Sequence, residues 1–271
     1  GIRDAQESRG LGDVYKRQLL TSWFNRGFLV LRRIDWQTPA AILEKIIAYE
    51  AVHEIRGWDD LRRRLDPKDR RCFAFFHPAL VDEPLIFVEV ALMREMPDAI
   101  ATVLDGHRSD DDAAPTTAVF YSISNCQEGL KGISFGNFLL KQVVEDLARD
   151  VASLKTFVTL SPVPSFARWA DRALASGSEV PISAADRQAL SRLRDPRWVE
   201  EAAKDAPGTD ELKSALMGLA AHYFLVARSN DDRPVDQVAR FHLGNGARLE
   251  RLNWLADPSE KGLREACLLY T

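Results

Sequence analysis

The clearest pattern of apolar and polar positions runs from Thr117 to Pro164. Residues Ala118–Ile123 form an apolar, β-branched run that ends in polar residues, which predicts a buried strand. After Gly136 the apolar residues recur at the 3.6-residue spacing of a half-buried helix. These positions are Leu139, Leu140, Val143, Val144, Leu147 and Val151. A second strand is predicted at Thr156–Leu160, and two strands joined through one helix are normally parallel.

Similar patterns predict the other elements. Two strands, Cys72–Phe76 and Pro84–Met93, are expected around a turn at Pro78–Glu83. The second strand is nearly all apolar, which indicates the centre of a sheet. The predicted helices are Pro39–Tyr49, after the start signal Thr38-Pro39, then Trp58–Leu65, Pro164–Leu174, Ile182–Leu193, Asp210–Ala227 and a short helix stopped by Gly244. A last strand is predicted at Ala247–Trp254.

The loop from Gln127 to Gly136 follows the first of the parallel strands, at the end of the sheet where ligands of such folds bind. Its glycines, Gly129 and Gly132, let backbone N–H groups converge, and the dipole of the following helix points to the same place. The loop therefore suits an anion such as pyrophosphate. It is neither a Walker loop nor a dinucleotide fingerprint, because both spacings are absent. A plain strand-to-helix turn explains the same residues equally well.

Composition narrows the classes of function. The chain has 271 residues, enough for one large or two small domains, with 46% apolar residues, 28% charged residues and a net charge of −4. There is no basic excess to indicate nucleic-acid binding. Three cysteines without metal-type spacing favour a reducing compartment, with the cytoplasm as the default. No apolar run approaches the about 20 residues that cross a bilayer, so no membrane partner is expected.

Two side chains stand out as candidate chemistry. Ser161 begins Ser-Pro-Val-Pro directly after the second parallel strand, which holds its hydroxyl at the ligand-binding end of the sheet. A cap for a helix beginning at Pro162 is an equal alternative. His242 lies near the carboxyl end of the short helix, where the dipole favours imidazolium and hence a proton donor near neutral pH. A satisfied structural histidine is the alternative for His242.

Three further features each have two interpretations. Asn245-Gly246 predicts a tight turn, and Asn245 could also orient a substrate carboxylate. Glu89 interrupts an apolar strand, so it is either a salt-bridged or edge-facing carboxylate or a residue of the site. The run Arg62–Arg64 forms either a solvated face or a contact to phosphates. We favour the structural interpretation in each case.

Three separate stretches resemble the catalytic domain of the malonyl-CoA decarboxylase family. They are Phe75–Leu92, Ala118–Trp169 and Pro234–Asp257, and the resemblance covers roughly Leu20 to Ala266. It implies an α/β domain of the GNAT (acetyltransferase-like) fold, with a mixed central sheet flanked by helices and the CoA pyrophosphate in the glycine loop. The acetyltransferase loop pattern is only partly met, because glycine and serine stand at its first and last positions.

The resemblance also implies a site. Ser161 and His242 are expected to be catalytic, with Ser161 positioning the malonyl group and His242 donating a proton. The residues expected to bind substrate or CoA are Ser124, Asn125, Gln127, Glu128, Gly129, Leu130, Lys131, Gly132, Ile133 and Asn245. Backbone N–H groups near Ser124 to Cys126 are expected to face the thioester oxygen.

The implied reaction is the decarboxylation of malonyl-CoA to acetyl-CoA and CO2. No metal, biotin or pyridoxal cofactor is expected, because the thioester itself is the electron sink. The expected partners are CoA thioesters and, at full length, further copies of the chain, with no nucleic acid or membrane. A GNAT-type CoA-dependent acyltransferase and an inactive CoA-binding fragment are the alternatives. Residues 1–19 are expected to be a non-native or disordered flank, residues 20–266 the catalytic domain without most of its preceding helical domain, and residues 267–271 a non-native or truncated end.

Overall fold

The structure is a computed structural model in which two compact units are distinguished. It describes residues 27–105, 113–130, 136–175, 177–195 and 197–271. The first unit takes the described residues of Gly1–Met96 and Gly106–Thr159, and the second takes Pro97–Asp105 and Leu160–Thr271.

The described residues contain five β-strands and ten α-helices. The strands are β1 (Val30–Ile34), β2 (Arg70–His77), β3 (Leu80–Met93), β4 (Thr117–Asn125) and β5 (Thr156–Thr159). The helices are α1 (Ala40–Tyr49), α2 (Trp58–Leu65), α3 (Ile100–Leu104), α4 (Gly136–Asp150), α5 (Phe166–Leu174), α6 (Ala184–Leu190), α7 (Trp198–Ala203), α8 (Thr209–Leu225), α9 (Gln237–Gly244) and α10 (Glu260–Ala266).

All five strands belong to one mixed sheet in the first unit, and their order in space follows the chain. β1 to β4 are antiparallel neighbours, and β4 pairs with β5 in parallel. The predicted parallel strands and the helix between them are therefore confirmed. The central position of β3 is confirmed as well, and it explains why that strand is apolar on both faces. The hairpin between β2 and β3 is tighter than predicted, since β2 ends at His77 and β3 begins at Leu80.

The sheet is covered on both faces because successive side chains of a strand point to opposite sides. On one face, Cys72, Ala74 and Phe76 pack with buried residues of α1 and α2. On the other face, Phe73 and Phe75 pack with α4. The buried stripe of α4 consists of Leu139, Val143 and Leu147, as its spacing predicts.

β4 departs from a regular strand in its second half. Its register against β3 shifts between the Glu89 and Val90 positions, so Tyr121 is an extra residue in β4, as in a β-bulge. Its pairing with β5 ends at the Phe120–Thr159 pair. Among the described residues, the strand from Ser122 to Asn125 therefore has a partner strand on one side only.

The second unit is helical, and its core is formed by a cluster of buried side chains from α5 to α8 and α10. The predicted helices at 164–174, 182–193 and 210–227 correspond to α5, α6 with the following 3₁₀ turn Ser191–Arg194, and α8. α3, α7 and α10 are additional helices that the sequence analysis did not predict.

Two local predictions are wrong. Residues 247–252 form no strand, and Asn253 makes only an isolated bridge to Tyr270. The apolar residues there, Leu249, Leu252 and Trp254, pack instead against the helical core of the second unit. At the start of α1, Thr38 does not cap the helix, because its hydroxyl accepts the N–H of Asp35 at 3.0 Å.

Candidate active site

Ser161 occupies a buried position fixed by its backbone. The residue is 6% exposed, its N–H donates to the carbonyl of Thr271 at 2.8 Å, and its carbonyl accepts the N–H of Thr271 at 2.9 Å. The helix that follows, α5, begins only at Phe166. The alternative that Ser161 caps a helix starting at Pro162 is therefore wrong.

His242 lies in the last turn of α9 and faces Ser161. The distance between His242 Nε2 and Ser161 Oγ is 3.3 Å, and the Phe241 ring packs edge-on against the imidazole at 5.0 Å. A serine hydroxyl and an imidazole nitrogen at this distance can share a proton. The structure thus brings together the two residues that the sequence analysis expected to be catalytic.

The predicted imidazolium is not the form of His242 that its surroundings favour. Burial lowers the pKa of the His242 imidazole to about 4, so the ring is neutral near pH 7. The helix end does not reverse this, because the His242 carbonyl already accepts the N–H groups of Asn245 and Ala247 at 3.1 Å each. Removal of the ring from water therefore outweighs what remains of the helix dipole.

Asn245 follows α9 in the predicted turn. The N–H of Gly246 donates to the Leu243 carbonyl at 3.1 Å, and Gly246 has a φ of 88°, which glycine adopts without strain. The turn is therefore confirmed. The buried side-chain nitrogen of Asn245 has no hydrogen-bond partner among the described residues. An unpaired buried donor is costly, and a carboxylate would satisfy it.

At the end of β4, the hydroxyl of Ser124 is already engaged. It donates to Glu50 Oε2 at 3.1 Å and accepts the N–H of Ala51 at 3.1 Å. Ser122 donates to the same carboxylate at 2.8 Å. Asn125 is exposed at the end of the strand, and the N–H of Cys126 donates to the Leu85 carbonyl at 2.9 Å. The expected thioester contact from the Cys126 N–H is therefore contradicted, since that group is not free.

The glycine loop is only partly described. Gln127 Nε2 lies 3.4 Å from the Pro84 carbonyl, and Glu128–Leu130 form a short 3₁₀ turn. Gly129 is exposed, with open space around a hypothetical Cβ. Lys131, Gly132 and Ile133 lie outside the described residues, as does the side chain of Leu130. Binding of a pyrophosphate by this loop stays a prediction.

Glu89 and Arg64 form a buried ion pair in the first unit. Arg64 Nη1 donates to Glu89 Oε2 at 2.7 Å, and the two residues are 8% and 0% exposed. The salt-bridged interpretation of Glu89 is thus confirmed, and Arg64 is not part of a solvated face. Burial raises the pKa of Glu89 to about 7 despite the arginine. The second oxygen, Oε1, has no hydrogen-bond partner in the described part of the chain.

Glu50 is a residue that the sequence analysis missed. Its carboxylate accepts the N–H groups of Val52 and His53 at 2.9 and 2.7 Å as well as the serine hydroxyls of β4. The serines lie more than 70 positions away in sequence. No local pattern could have revealed this network, which holds the half of β4 that lacks a second partner strand.

The described residues include neither a metal-binding cluster nor a membrane-spanning helix. No group of three or more His, Cys, Asp or Glu side chains in those ranges could hold a metal ion. Of the helices that the structure describes, none has both the length and the apolar content needed to cross a bilayer.

The mixed sheet with helices on both faces defines an α/β protein of the GNAT-like class. The fold is shared with the GphF GNAT-like decarboxylase solved in complex with isobutyryl-CoA, at a TM-score of 0.51 and 16% identity over 89% of this chain and 95% of that one. The family model for the malonyl-CoA decarboxylase C-terminal domain matches residues 27–270. The chain belongs to the malonyl-CoA decarboxylase family.

Solved and curated relatives agree with this assignment. A malonyl-CoA decarboxylase structure from Agrobacterium vitis is 62% identical, with a TM-score of 0.91, and the match covers 96% of this chain and 63% of that one. One from Rhodopseudomonas palustris is 57% identical, with a TM-score of 0.88, over 99% and 64%. The mitochondrial malonyl-CoA decarboxylase of the goose Anser anser anser is 36% identical over 93% of this chain, which spans 53% of that protein. The chain thus spans about half the length of the curated relatives it matches.

Proposed function

We propose that this chain decarboxylates malonyl-CoA to acetyl-CoA and CO2. The observation that carries the proposal is the 3.3 Å contact between Ser161 Oγ and His242 Nε2 in a member of this family. Because the chain spans only part of its relatives, the family name alone does not establish the reaction. The proposal therefore rests on the chemistry that these two side chains can perform.

The reaction makes three demands on the site. The bond between the carboxyl carbon and the α-carbon breaks, and its electron pair enters the thioester to form an enolate. The site must hold the carboxylate out of the plane of the thioester, stabilise charge on the thioester oxygen and deliver one proton to the α-carbon. A positioned oxyanion donor contributes about 10² to 10³ in rate and a positioned acid about 10² to 10⁴. The thioester is the electron sink, and we propose that no further cofactor takes part.

The residues near His242 suit the first of these demands. The hydroxyl of Ser161 binds the malonyl group, and the unpaired amide nitrogen of Asn245 donates to its carboxylate. Support comes from the burial of Ser161 and from the buried side-chain nitrogen of Asn245, which has no hydrogen-bond partner among the described residues.

The proton comes from His242, which must first acquire it. Burial lowers the pKa of the imidazole to about 4, so the ring is neutral near pH 7. A substrate carboxylate beside the ring favours its charged form and raises the pKa again. His242 therefore takes up a proton together with the substrate and donates it to the enolate carbon. The reaction then consumes one proton for each CO2 released.

The remaining features of the proposal concern binding and context. The loop from Gln127 to Gly136, which includes Lys131, Gly132 and Ile133, binds the CoA pyrophosphate through backbone N–H groups.

The full-length protein forms a homo-oligomer, which light scattering would test. The cytoplasm is the proposed location, and cell fractionation would test it.

The decisive test is incubation of the protein with malonyl-CoA alone. Decarboxylation predicts acetyl-CoA and CO2 without any acceptor, measured by chromatography and by trapping of labelled CO2. A CoA-dependent acyltransferase would release free CoA only when an amine is added. A binding fragment would retain malonyl-CoA unchanged. Either of the last two results would overturn the proposal.

A further inference from the structure

Tyr223 of α8 contacts both the segment that follows Ser161 and the segment that precedes His242. The residue is fully buried. Its ring packs edge-on against Phe166 of α5, with 5.4 Å between centroids, and lies 5.0 Å from the Trp169 ring. Its hydroxyl donates to Asp236 Oδ2 at 3.0 Å. One side chain therefore connects the helix after Ser161 to the start of α9.

Asp236 is the N-terminal cap of α9. Its second oxygen, Oδ1, accepts the N–H of Ala239 at 2.9 Å, and the residue is 1% exposed. Burial raises the pKa of Asp236, and the hydrogen bonds from Ala239 and Tyr223 oppose that effect. Both oxygens of this carboxylate are thus used, one to cap the helix and one to anchor it to Tyr223.

α9 depends strongly on such anchors. It has only eight residues, and none of them is fully buried. A helix of this length is marginal by itself, so its position is set by what holds its ends. The Arg240 guanidinium contributes by donating to the carbonyls of Pro234 and Val235, at 2.6 and 3.2 Å.

The distance that α9 has to maintain between His242 and Ser161 leaves little tolerance. His242 Nε2 and Ser161 Oγ are 3.3 Å apart, close to the upper limit of a hydrogen bond. A displacement of α9 by about 1 Å would break the contact, and a misplacement of that size typically costs about 10²-fold in rate.

We propose that Tyr223 is a positioning residue for the Ser161–His242 pair: its hydrogen bond to Asp236 fixes α9 so that the imidazole stays within reach of the serine. The inference rests on the proposed function, because it assigns Tyr223 a role in that same reaction. Tyr223 acts through α9 and does not touch the substrate.

The test compares Tyr223→Phe with Ser183→Ala. Phenylalanine keeps the ring packing and removes only the hydroxyl. Ser183 is a matched control, because its hydroxyl caps α6 by accepting the N–H of Asp186 at 3.0 Å, and α6 carries no residue of the proposed site. For each variant we would measure kcat and KM for malonyl-CoA, and the amide hydrogen exchange of residues 237–244.

We expect Tyr223→Phe to lower kcat about 10- to 100-fold, to change KM by less than about 3-fold and to speed exchange at 237–244. Ser183→Ala should change kcat by less than about 2-fold and leave that exchange unaltered. In a His242→Ala background, Tyr223→Phe should lower kcat no further, since its effect passes through the imidazole.

A second pair of variants tests the same hydrogen bond from the other side. Asp236→Asn keeps an oxygen for the cap and an amide that can pair with the Tyr223 hydroxyl, so it should retain kcat within about 5-fold. Asp236→Ala removes both contacts and should match or exceed the loss in Tyr223→Phe.

Unchanged exchange at 237–244 in Tyr223→Phe would overturn the inference, and so would faster exchange with unchanged kcat. Further loss in the His242→Ala background would overturn it as well. If the wild-type protein turns over no malonyl-CoA, the proposed function fails by itself. The exchange data then decide whether Tyr223 holds α9: faster exchange in Tyr223→Phe alone supports it, and equal exchange in both variants refutes it.

Discussion

Replacing His242 with Gln should make the protein more stable at mildly acidic pH. In the folded protein, burial holds the pKa of His242 at about 4, whereas an unfolded histidine has a pKa of 6.5. Between these values the unfolded chain binds the proton more tightly, so the free energy of unfolding falls as the pH drops from about 6.5 to about 4. Glutamine does not titrate in this range, so the variant does not lose this part of the free energy of unfolding.

The size of the effect follows from the same two values. Lowering a pKa from 6.5 to about 4 corresponds to about 3.4 kcal/mol, at 1.36 kcal/mol per pKa unit. Because the ring is only half-buried, solvent screening reduces this to about 2 kcal/mol. His242→Gln should therefore gain about 2 kcal/mol relative to wild type between pH 7 and pH 4.

Urea unfolding of both proteins at half-unit pH steps from 4 to 7.5 measures this difference. Other titrating groups are common to both chains and cancel in the comparison. Ser191→Ala is the control, because the Ser191 hydroxyl donates to the backbone carbonyl of Gln188 at 2.6 Å, so its effect should not vary with pH. A flat difference would refute the reasoning. A difference of the opposite sign would mean that the imidazolium is favoured, as the sequence analysis expected from the helix dipole.

Three further predictions concern other contacts. Arg64→Leu should lower the free energy of unfolding by about 3 to 5 kcal/mol, because it leaves Glu89 buried without its partner. The same change at the exposed Arg62 should cost less than about 0.5 kcal/mol, and equal losses in chemical denaturation would contradict this prediction. Asn245→Ala should raise KM for malonyl-CoA about 10-fold with little change in inhibition by free CoA, and a parallel weakening of both would show that the amide does not bind the carboxylate. Glu50→Gln should loosen the end of β4 and speed amide exchange at 122–125; protection equal to that of wild type would refute this role.

The central strand and the helix between the parallel strands were accessible from the sequence, because they depend on local periodicity. The stripe Leu139, Val143 and Leu147 repeats at helical spacing, and the apolar run of β3 has the composition of a central strand. Glu89 could be assigned a partner in principle, since a carboxylate in such a strand requires one. Its identity, Arg64, could not be assigned, because a run of three arginines looks the same whether or not one of them points inward.

The wrong predictions share a physical cause. The local sequence pattern allows more than one structure, and tertiary packing selects among them. Leu249, Leu252 and Trp254 belong to the strand predicted after the Asn-Gly turn, but they pack on helices, and Asn253 makes only an isolated bridge. The charge of His242 follows from burial that no short motif reveals. Likewise, the role of Glu50 depends on hydrogen bonds from Ser122 and Ser124, which lie far away in the sequence.

The account depends most on Ser161 and His242 acting as one unit. The measurement is the rate of acetyl-CoA formation from malonyl-CoA, without an acceptor, for wild type, Ser161→Ala, His242→Ala and the double variant. Residues that act together give strongly non-additive losses, so the double variant should be no more than about 3-fold slower than the slower single variant. Losses that multiply, or full turnover in His242→Ala, would contradict the account.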